Sequence, residues 1–363
     1  MTGSSLISRH LSLITKIRDV LANKGIDGFL VTDITNVRYM TGFTGSSGFL
    51  MINEKRNIFF TDFRYKEQAE KEIAGWEISI EKGERQKTVI NTARTFNINR
   101  LGVEASITYE FYKKLTRKGI RLKPVKSLVE EMRKIKDEHE MTLIKKAITR
   151  AESAFRDIKP YIKAGIKEKE IALRLEEALK KRGCKTIPFD IIVAAGRNSS
   201  MPHAKVTERK LKAGDLVVID WGGEAGGYFS DITRTFLIKG GNIDRKCEIY
   251  STVLKANMKA IASIRDGIKS KRLDSIVRDF IKKAGYGEYF GHGTGHGIGL
   301  SVHEAPHISW TGSEVIRSGM VFTIEPGIYI TGLGGVRIED IVMVKPDCPI
   351  ILTSLPKELE IIN

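Results

Sequence analysis

Cysteine is scarce in this 363-residue chain: Cys184, Cys247 and Cys348 stand far apart and form no CxxC pair. That excludes a disulfide framework and a zinc site built from thiolates, and it fits a reducing, cytoplasmic compartment. Apolar runs of bilayer-spanning length are also missing, so no membrane segment is expected. The first 26 residues carry charges throughout, without a sustained apolar stretch or a small-residue cleavage site, and secretion is not expected either. Blocks of basic charge are the third absence. The formal net charge is +16, yet the cations are interspersed with acids, as across Glu130-Glu131-Met132-Arg133-Lys134-Ile135-Lys136-Asp137-Glu138, and are not interleaved with aromatics. Nucleic acid is therefore not an expected partner.

What is present is an ordinary globular composition on a chain too long for one hydrophobic core, which predicts two domains. Residues 6–24 read as an amphipathic helix. Strands are expected at 28–31, 48–52, 57–61 and 77–80, with helical patterns near 64–73, 86–96 and 108–117. Long charge-rich helices then occupy about 127–182. Beyond Gly183 the chain turns strand-rich, with helices near 243–265 and 272–284. The fold class is α/β (α+β), divided into residues 1–133 and 134–363.

Carboxylates sit where apolar strands would be expected to stay uncharged, in LVVID and FTIEP for example. A buried charge must be paired, neutralised or bound to metal. Two strand-turn-strand segments repeat this device. In the first, Asp220 and Asp231 are symmetric about Ala225-Gly226, which as directly opposed residues would put both on one face of a hairpin. In the second, Glu325 and Glu339 are symmetric about Gly332, with a bulge near Pro326-Gly327 as the alternative register. Paired acids on two such hairpins suggest a pseudo-twofold site.

One imidazole completes the set. The segment from Gly291 to Glu304 holds His292, His296 and His303 among five glycines, a composition suited to a loop wrapped closely around a site. With His203 it carries four of the chain's seven histidines. Four carboxylates and one histidine suit two divalent ions such as manganese (Mn2+) or cobalt (Co2+), with zinc (Zn2+) still open. Hydrolysis is the natural reaction for such a pair. By strand alternation Arg337 shares a face with Glu339 and Thr233 with Asp231. Tyr228 reads first as a packing ring, a place lining the pocket being the alternative. His292 could touch substrate or brace its loop.

Longer motifs carry a resemblance across nearly the whole chain: YMTGFTGSSGFLMI and FFTDFRY, then MPHAKVTERKLKAGDLVVIDWGG, GYFSDITRTF, HGTGHGIGLSVHE, FTIEPGIYI and GVRIED. The chain resembles the pita-bread metallopeptidases of the Xaa-Pro aminopeptidase and Xaa-Pro dipeptidase (prolidase) branch, with a creatinase-like N-terminal domain. The resemblance implies metal ligation by Asp220, Asp231, His296, Glu325 and Glu339, with Asp231 and Glu339 shared between the ions. It also makes Glu325 the general base, and His203 and His303 the groups that hold substrate or stabilise the oxyanion. A homodimer acting on proline-containing peptides is implied too. Tyr39, Phe43 and Arg64 are candidates to approach a partner's site, local packing being the alternative.

Substrate length is the open point. Some prolidases of this family carry VHE-x-P-R, where the arginine can pair with the carboxylate of a dipeptide. Here the sequence is Val302-His303-Glu304-Ala305-Pro306-His307, and a histidine pairs less firmly with a carboxylate than a bidentate arginine does. The expectation is an Xaa-Pro aminopeptidase, with a dipeptidase as the alternative and a non-catalytic binding module of the same fold as the third reading.

Overall fold

The computed structural model describes residues 3–362, with side chains from Arg9 onward. It divides into two compact units, Met1–Arg133 and Lys134–Asn363. No helix among the described residues is long and apolar enough to cross a membrane.

The first unit is a six-stranded mixed sheet with helices. Its strands are β1 (Gly28–Val31), β2 (Phe49–Asn53), β3 (Asn57–Thr61), β4 (Glu77–Ile80), β5 (Arg100–Glu104) and β6 (Arg121–Val125), in the order β4-β3-β2-β1-β5-β6. Its helices are α1 (Gly3–Lys24), α2 (Ile34–Thr41), α3 (Lys66–Glu72), α4 (Arg85–Thr95), α5 (Tyr109–Thr116) and α6 (Leu128–Arg133). Apolar runs place Leu30, Phe49, Met51, Phe60 and Val103 in one core with Val89 of α4. Strands β5 and β6 were not expected. RLGVE and RLKPV are short, charged and broken by Gly102 or Pro124, and β6 is an edge strand whose residues are mostly exposed.

Of the three candidates to approach a partner, two are buried within this unit. Phe43 is fully buried with its ring 4.8 Å from that of Phe59, and the Tyr39 hydroxyl donates to the carbonyl of Met132 at 3.1 Å. These two are core residues. Arg64 is exposed and paired with Asp62 at 2.9 Å.

The second unit begins with α7 (Glu138–Ile158), whose start is fixed by a reciprocal capping box between Asp137 and Glu140. Next come α8 (Glu168–Lys181) and strands β7 (Ile192–Ala195), β8 (Leu216–Trp221), β9 (Glu224–Ala225), β10 (Tyr228–Phe229) and β11 (Ile232–Ile238). Helices α9 (Asp244–Ser263) and α10 (Ser270–Lys283) follow. The rest is β12 (Gly295–Gly297), β13 (Glu304–Ile308), β14 (Val321–Ile324), β15 (Gly327–Ile330), β16 (Gly334–Arg337), β17 (Asp340–Met343), β18 (Ile350–Ile351) and β19 (Glu360–Ile362). One sheet runs β19-β11-β8-β7 and another β13-β12-β14-β17-β18. The apolar faces of α9 and α10, with Ile249, Val253, Leu273 and Val277, pack with Phe322, Ile324 and Val342 in one core.

Hairpin register decides where the acids point. In the first hairpin Asp220 lies opposite Thr233, and Tyr228 lies opposite Ala225. The turn is therefore Gly226-Gly227, both at positive φ (58° and 81°), as a two-residue turn matched to strand twist requires. The expected direct opposition of Asp220 and Asp231 is thus corrected. Asp231 sits two residues before Thr233, on the diagonal, and period-2 alternation still leaves Asp220, Thr233 and Asp231 on one face. In the second hairpin the same register continues from Ile324↔Asp340 through Gly327↔Arg337 to Ile330↔Gly334, with no shift at Pro326-Gly327. Glu325 and Glu339 face each other in the gap between the two ladders. There the Glu325 amide donates to Thr294 and the Glu339 amide to Thr233, which ties this hairpin both to the glycine-rich loop and to β11.

Candidate active site

Four carboxylates and an imidazole converge at the gap between these hairpins. Ligand atoms of Asp220, Asp231 and Glu339 lie within 4.8 Å of one another, as do those of His296, Glu325 and Glu339, and those of Asp231, His296 and His303. Glu339 belongs to both acidic groupings, the position a residue shared by two ions would hold. Arg337 donates to Asp220 at 2.6 Å and to the Thr233 hydroxyl at 3.1 Å, and that hydroxyl donates to Glu339 at 2.8 Å.

Local sequence explains how β12 presents its histidine. A Cβ on Gly295 would lie 1.9 Å from the carbonyl oxygen of Thr323, and one on Gly297 would lie 2.1 Å from that of Ala305. Only glycine lets this strand fit between β13 and β14. His296 is directly opposite His307, after which the register shifts. The Nδ1 of His296 lies 3.2 Å from the Gly297 carbonyl. That contact puts the proton on Nδ1 and leaves the Nε2 lone pair toward Glu325 and Asp231, at 3.4 and 3.7 Å.

The electrostatics are those of an unsatisfied anionic cavity. Asp220 Oδ1, Asp231 Oδ1 and Glu339 Oε1 are buried without any hydrogen-bond partner. Burial, then repulsion from neighbouring carboxylates, raises Asp231 and Glu339 well above the ordinary carboxylate range. Burial also pushes Glu325 up to about 7, although Arg337 opposes the shift, and it pushes His296 down to about 3. Buried polar atoms are nearly always paired, so three converging carboxylates that each keep an orphaned oxygen fit a divalent cation. The all-oxygen and imidazole donor set fits a hard or intermediate one.

Around the cluster lies a cavity of about 1210 Å³, lined by His203, His292, His303, His307 and Arg337 along with all four acids and the imidazole of the set. Residues 142–346 match the model of metallopeptidase family M24, and residues 14–135 match that of the Creatinase/Prolidase N-terminal domain. The chain belongs to metallopeptidase family M24. A relative named Xaa-Pro dipeptidase, from Pyrococcus horikoshii, is 38% identical over 95% of this peptidase and 98% of its own length. A solved structure titled as an Xaa-Pro dipeptidase from Bacillus anthracis superposes with a TM-score of 0.94 at 40% identity, covering 97% of this chain and 100% of that one. One titled as an X-Pro aminopeptidase from Thermotoga maritima gives 0.88 at 36%, covering 96% and 99%. The peptidase therefore has the pita-bread catalytic fold behind a creatinase-like N-terminal domain.

Tyr228 does not line the cavity. Its hydroxyl donates instead to Glu140 at 3.1 Å, bracing the start of α7, so its place as a pocket residue is corrected to a structural one. The N-terminal half of that hairpin carries Asp220 toward the site while its tip turns away. His292 is braced on both sides: Nδ1 faces the Gly293 carbonyl at 2.8 Å, and Nε2 lies 2.9 Å from the hydroxyl of Tyr329. Burial holds His292 down to about 4, so the neutral ring accepts from Tyr329, which in turn accepts from Arg337 at 2.8 Å.

Tyr329 was not singled out in the sequence, nor were Asp274 and Arg278. The signal for Tyr329 is its register, since it lies opposite Gly335, in whose absent side chain its ring finds room. Asp274 and Arg278 are one turn apart on α10. Asp274 accepts from Thr294 at 2.8 Å, and Arg278 donates to the carbonyls of Phe290 and His292, so this pair anchors the glycine-rich loop. Nothing in the local sequence distinguishes them from an ordinary i,i+4 surface pair.

Proposed function

We propose that this peptidase is a dinuclear Xaa-Pro aminopeptidase, which hydrolyses the bond before proline and releases the N-terminal residue. The observation that carries the hydrolytic reading is the convergence of Asp220, Asp231 and Glu339, each with a buried carboxylate oxygen that has no hydrogen-bond partner, together with His296 and Glu325. Two divalent ions held by Asp220, Asp231, His296, Glu325 and Glu339, manganese in this reading, would supply Lewis acidity to the scissile carbonyl and lower the pKa of the attacking water. Glu325 takes the proton of that water as its oxygen bonds to the carbonyl carbon. His203 and His303 donate to the developing oxyanion or to the proline nitrogen as the C–N bond breaks. Arg337 and Thr233 orient Asp220 and Glu339, and His292 holds one wall of the site.

Substrates longer than a dipeptide are favoured by space and by the residue at position 307. The cavity exceeds the ~300–1,000 Å³ typical of small-ligand pockets. Of its three lining cations, Arg337 is engaged by Asp220 and Lys169 by Glu208, while Lys205 is exposed, and position 307 holds a histidine where an arginine would clamp a dipeptide carboxylate. A second reading, restriction to Xaa-Pro dipeptides, is favoured by the names of the Pyrococcus and Bacillus relatives. Steady-state kinetics on Xaa-Pro, Xaa-Pro-Xaa and Xaa-Ala-Xaa peptides, with manganese restored to metal-stripped protein, test both. The tripeptide with proline should be cleaved best; turnover of Xaa-Pro alone would replace the first reading by the second. A cytoplasmic homodimer belongs to the same proposal, and sedimentation at working concentration checks the assembly.

A further inference from the structure

His303 has a position without a tether. Its ring is exposed, lines the cavity and lies 4.2 Å, centroid to centroid, from the ring of His296. Among the described residues no hydrogen bond holds that ring, so its place depends on the backbone that carries it. This backbone folds over the carboxylate of the next residue, Glu304. The Ser301 amide donates to Glu304 Oε2 at 3.4 Å, and the Gly299 amide donates to the carbonyl of Ser301 at 3.0 Å. A Cβ on Gly299 would stand 2.6 Å from Glu304 Oε1, so the turn closes directly against the carboxylate.

Glu304 is in turn held from below. Lys136 Nζ donates to Glu304 Oε1 at 2.8 Å, in a pair whose side chains are 0% and 10% exposed. Lys136 is itself fixed, since its amide donates to Gly319 at 3.0 Å and the next residue, Asp137, caps α7. A buried ammonium is costly unless paired and is a poor route to stability. Its use here is geometric.

We propose that Lys136 is a positioning residue for His303, acting through Glu304 and the 299–303 turn. Without the ammonium, the Glu304 carboxylate loses its buried counter-charge and must protonate or move toward water, and the turn moves with it. The metal-ligand cluster does not include Lys136 or Glu304, so the effect falls on the histidine. The proposal rests on the reading that His303 serves the reaction at this site.

The test compares K136M, E304Q, H303A and the double variant K136M/H303A, each loaded with manganese. K136M should bind as much metal per chain as the unaltered protein and keep its KM. Its kcat should fall about 10–100-fold, the range for removing an outer partner of an active-site group. Amide exchange should quicken in 299–303 and not across the unit. In the H303A background K136M should add little, because the residue it positions is gone. Additive losses, an unchanged kcat, or loss of metal would each overturn the proposal. If K136M does not fold, E304Q, which keeps the shape and removes the charge, carries the same readouts, and failure of both to fold would assign the pair a purely structural role. Should no proline peptide be turned over by the unaltered protein, the functional reading falls, while exchange in 299–303 still judges the positioning.

Discussion

Two buried carboxylate sites, one in each unit, show opposite solutions to the same physical problem. Glu104 in the first unit accepts from the Thr32 amide at 2.6 Å, the Thr32 hydroxyl at 3.1 Å, the Asp33 amide at 2.8 Å and Asn36 at 2.7 Å. Both of its oxygens are satisfied locally, although burial still raises its pKa, and it stitches the end of β5 to the start of α2. In the second unit Asp220, Asp231 and Glu339 each leave an oxygen buried and unpaired. Burial alone is common to both and says little about function. Unpaired acceptor capacity separates a structural acid from one waiting for a ligand.

The comparison breaks first at the ligands. Asp231→Ala or Glu339→Ala should abolish dinuclear occupancy and reduce turnover by more than the ~10²–10³-fold attached to one oxyanion donor; metal analysis and kinetics on the purified variants check it. His303→Ala should keep both metals and lose about 10²–10³-fold in kcat, so retained metal with lost rate separates it from the acids. Arg337→Lys removes the fork that orients Asp220 and should weaken metal binding about 10–100-fold, measured by competition with a chelator. Glu104→Gln should leave metal and kcat intact while costing about 1–3 kcal/mol of stability in the first unit, since its amide opposes backbone donors; denaturant unfolding reads this out.

The smallest effect is one of pH. Glu325 has a folded pKa of about 7, above its unfolded value, so its contribution to stability is fully present below the unfolded pKa and lost as pH rises through about 7. Asp231 and Glu339 shift in the same direction. Metal-stripped protein should therefore gain melting temperature between pH 8 and pH 6. Metal-loaded protein should not, because binding requires the ionised acids. Thermal scans of both forms at the two pH values decide it.

Much of this contrast was visible in the sequence because strand chemistry is periodic. The second hairpin could be centred on Gly332, and the observed pairing runs through that point. The first was centred one residue early, since symmetry between two acids is a weaker guide than the demand of a two-residue turn for positive φ at Gly226 and Gly227. Strand β5 escaped because Gly102 interrupts its apolar positions, and β6 because a charged edge strand has no apolar alternation to read. Glu104 was invisible for a related reason: whether a carboxylate is satisfied depends on donors 68 to 72 residues away. The same holds for Lys136 and Glu304, 168 residues apart, and for Tyr329, whose hydroxyl matters only once Arg337 and His292 are brought beside it.

Arg234 clasps the backbone at Glu339 to a segment 121 to 122 residues further along the chain than itself. This buried arginine donates to the carbonyls of Thr233 and Glu339, to Asp340, and to the carbonyls of Leu355 and Pro356. Lys357 adds a bond to Asp340 at 2.7 Å. Residues 355–357 thus strap the backbone at Glu339 through Arg234, so the seat of one candidate ligand is held by a segment that carries no ligand itself.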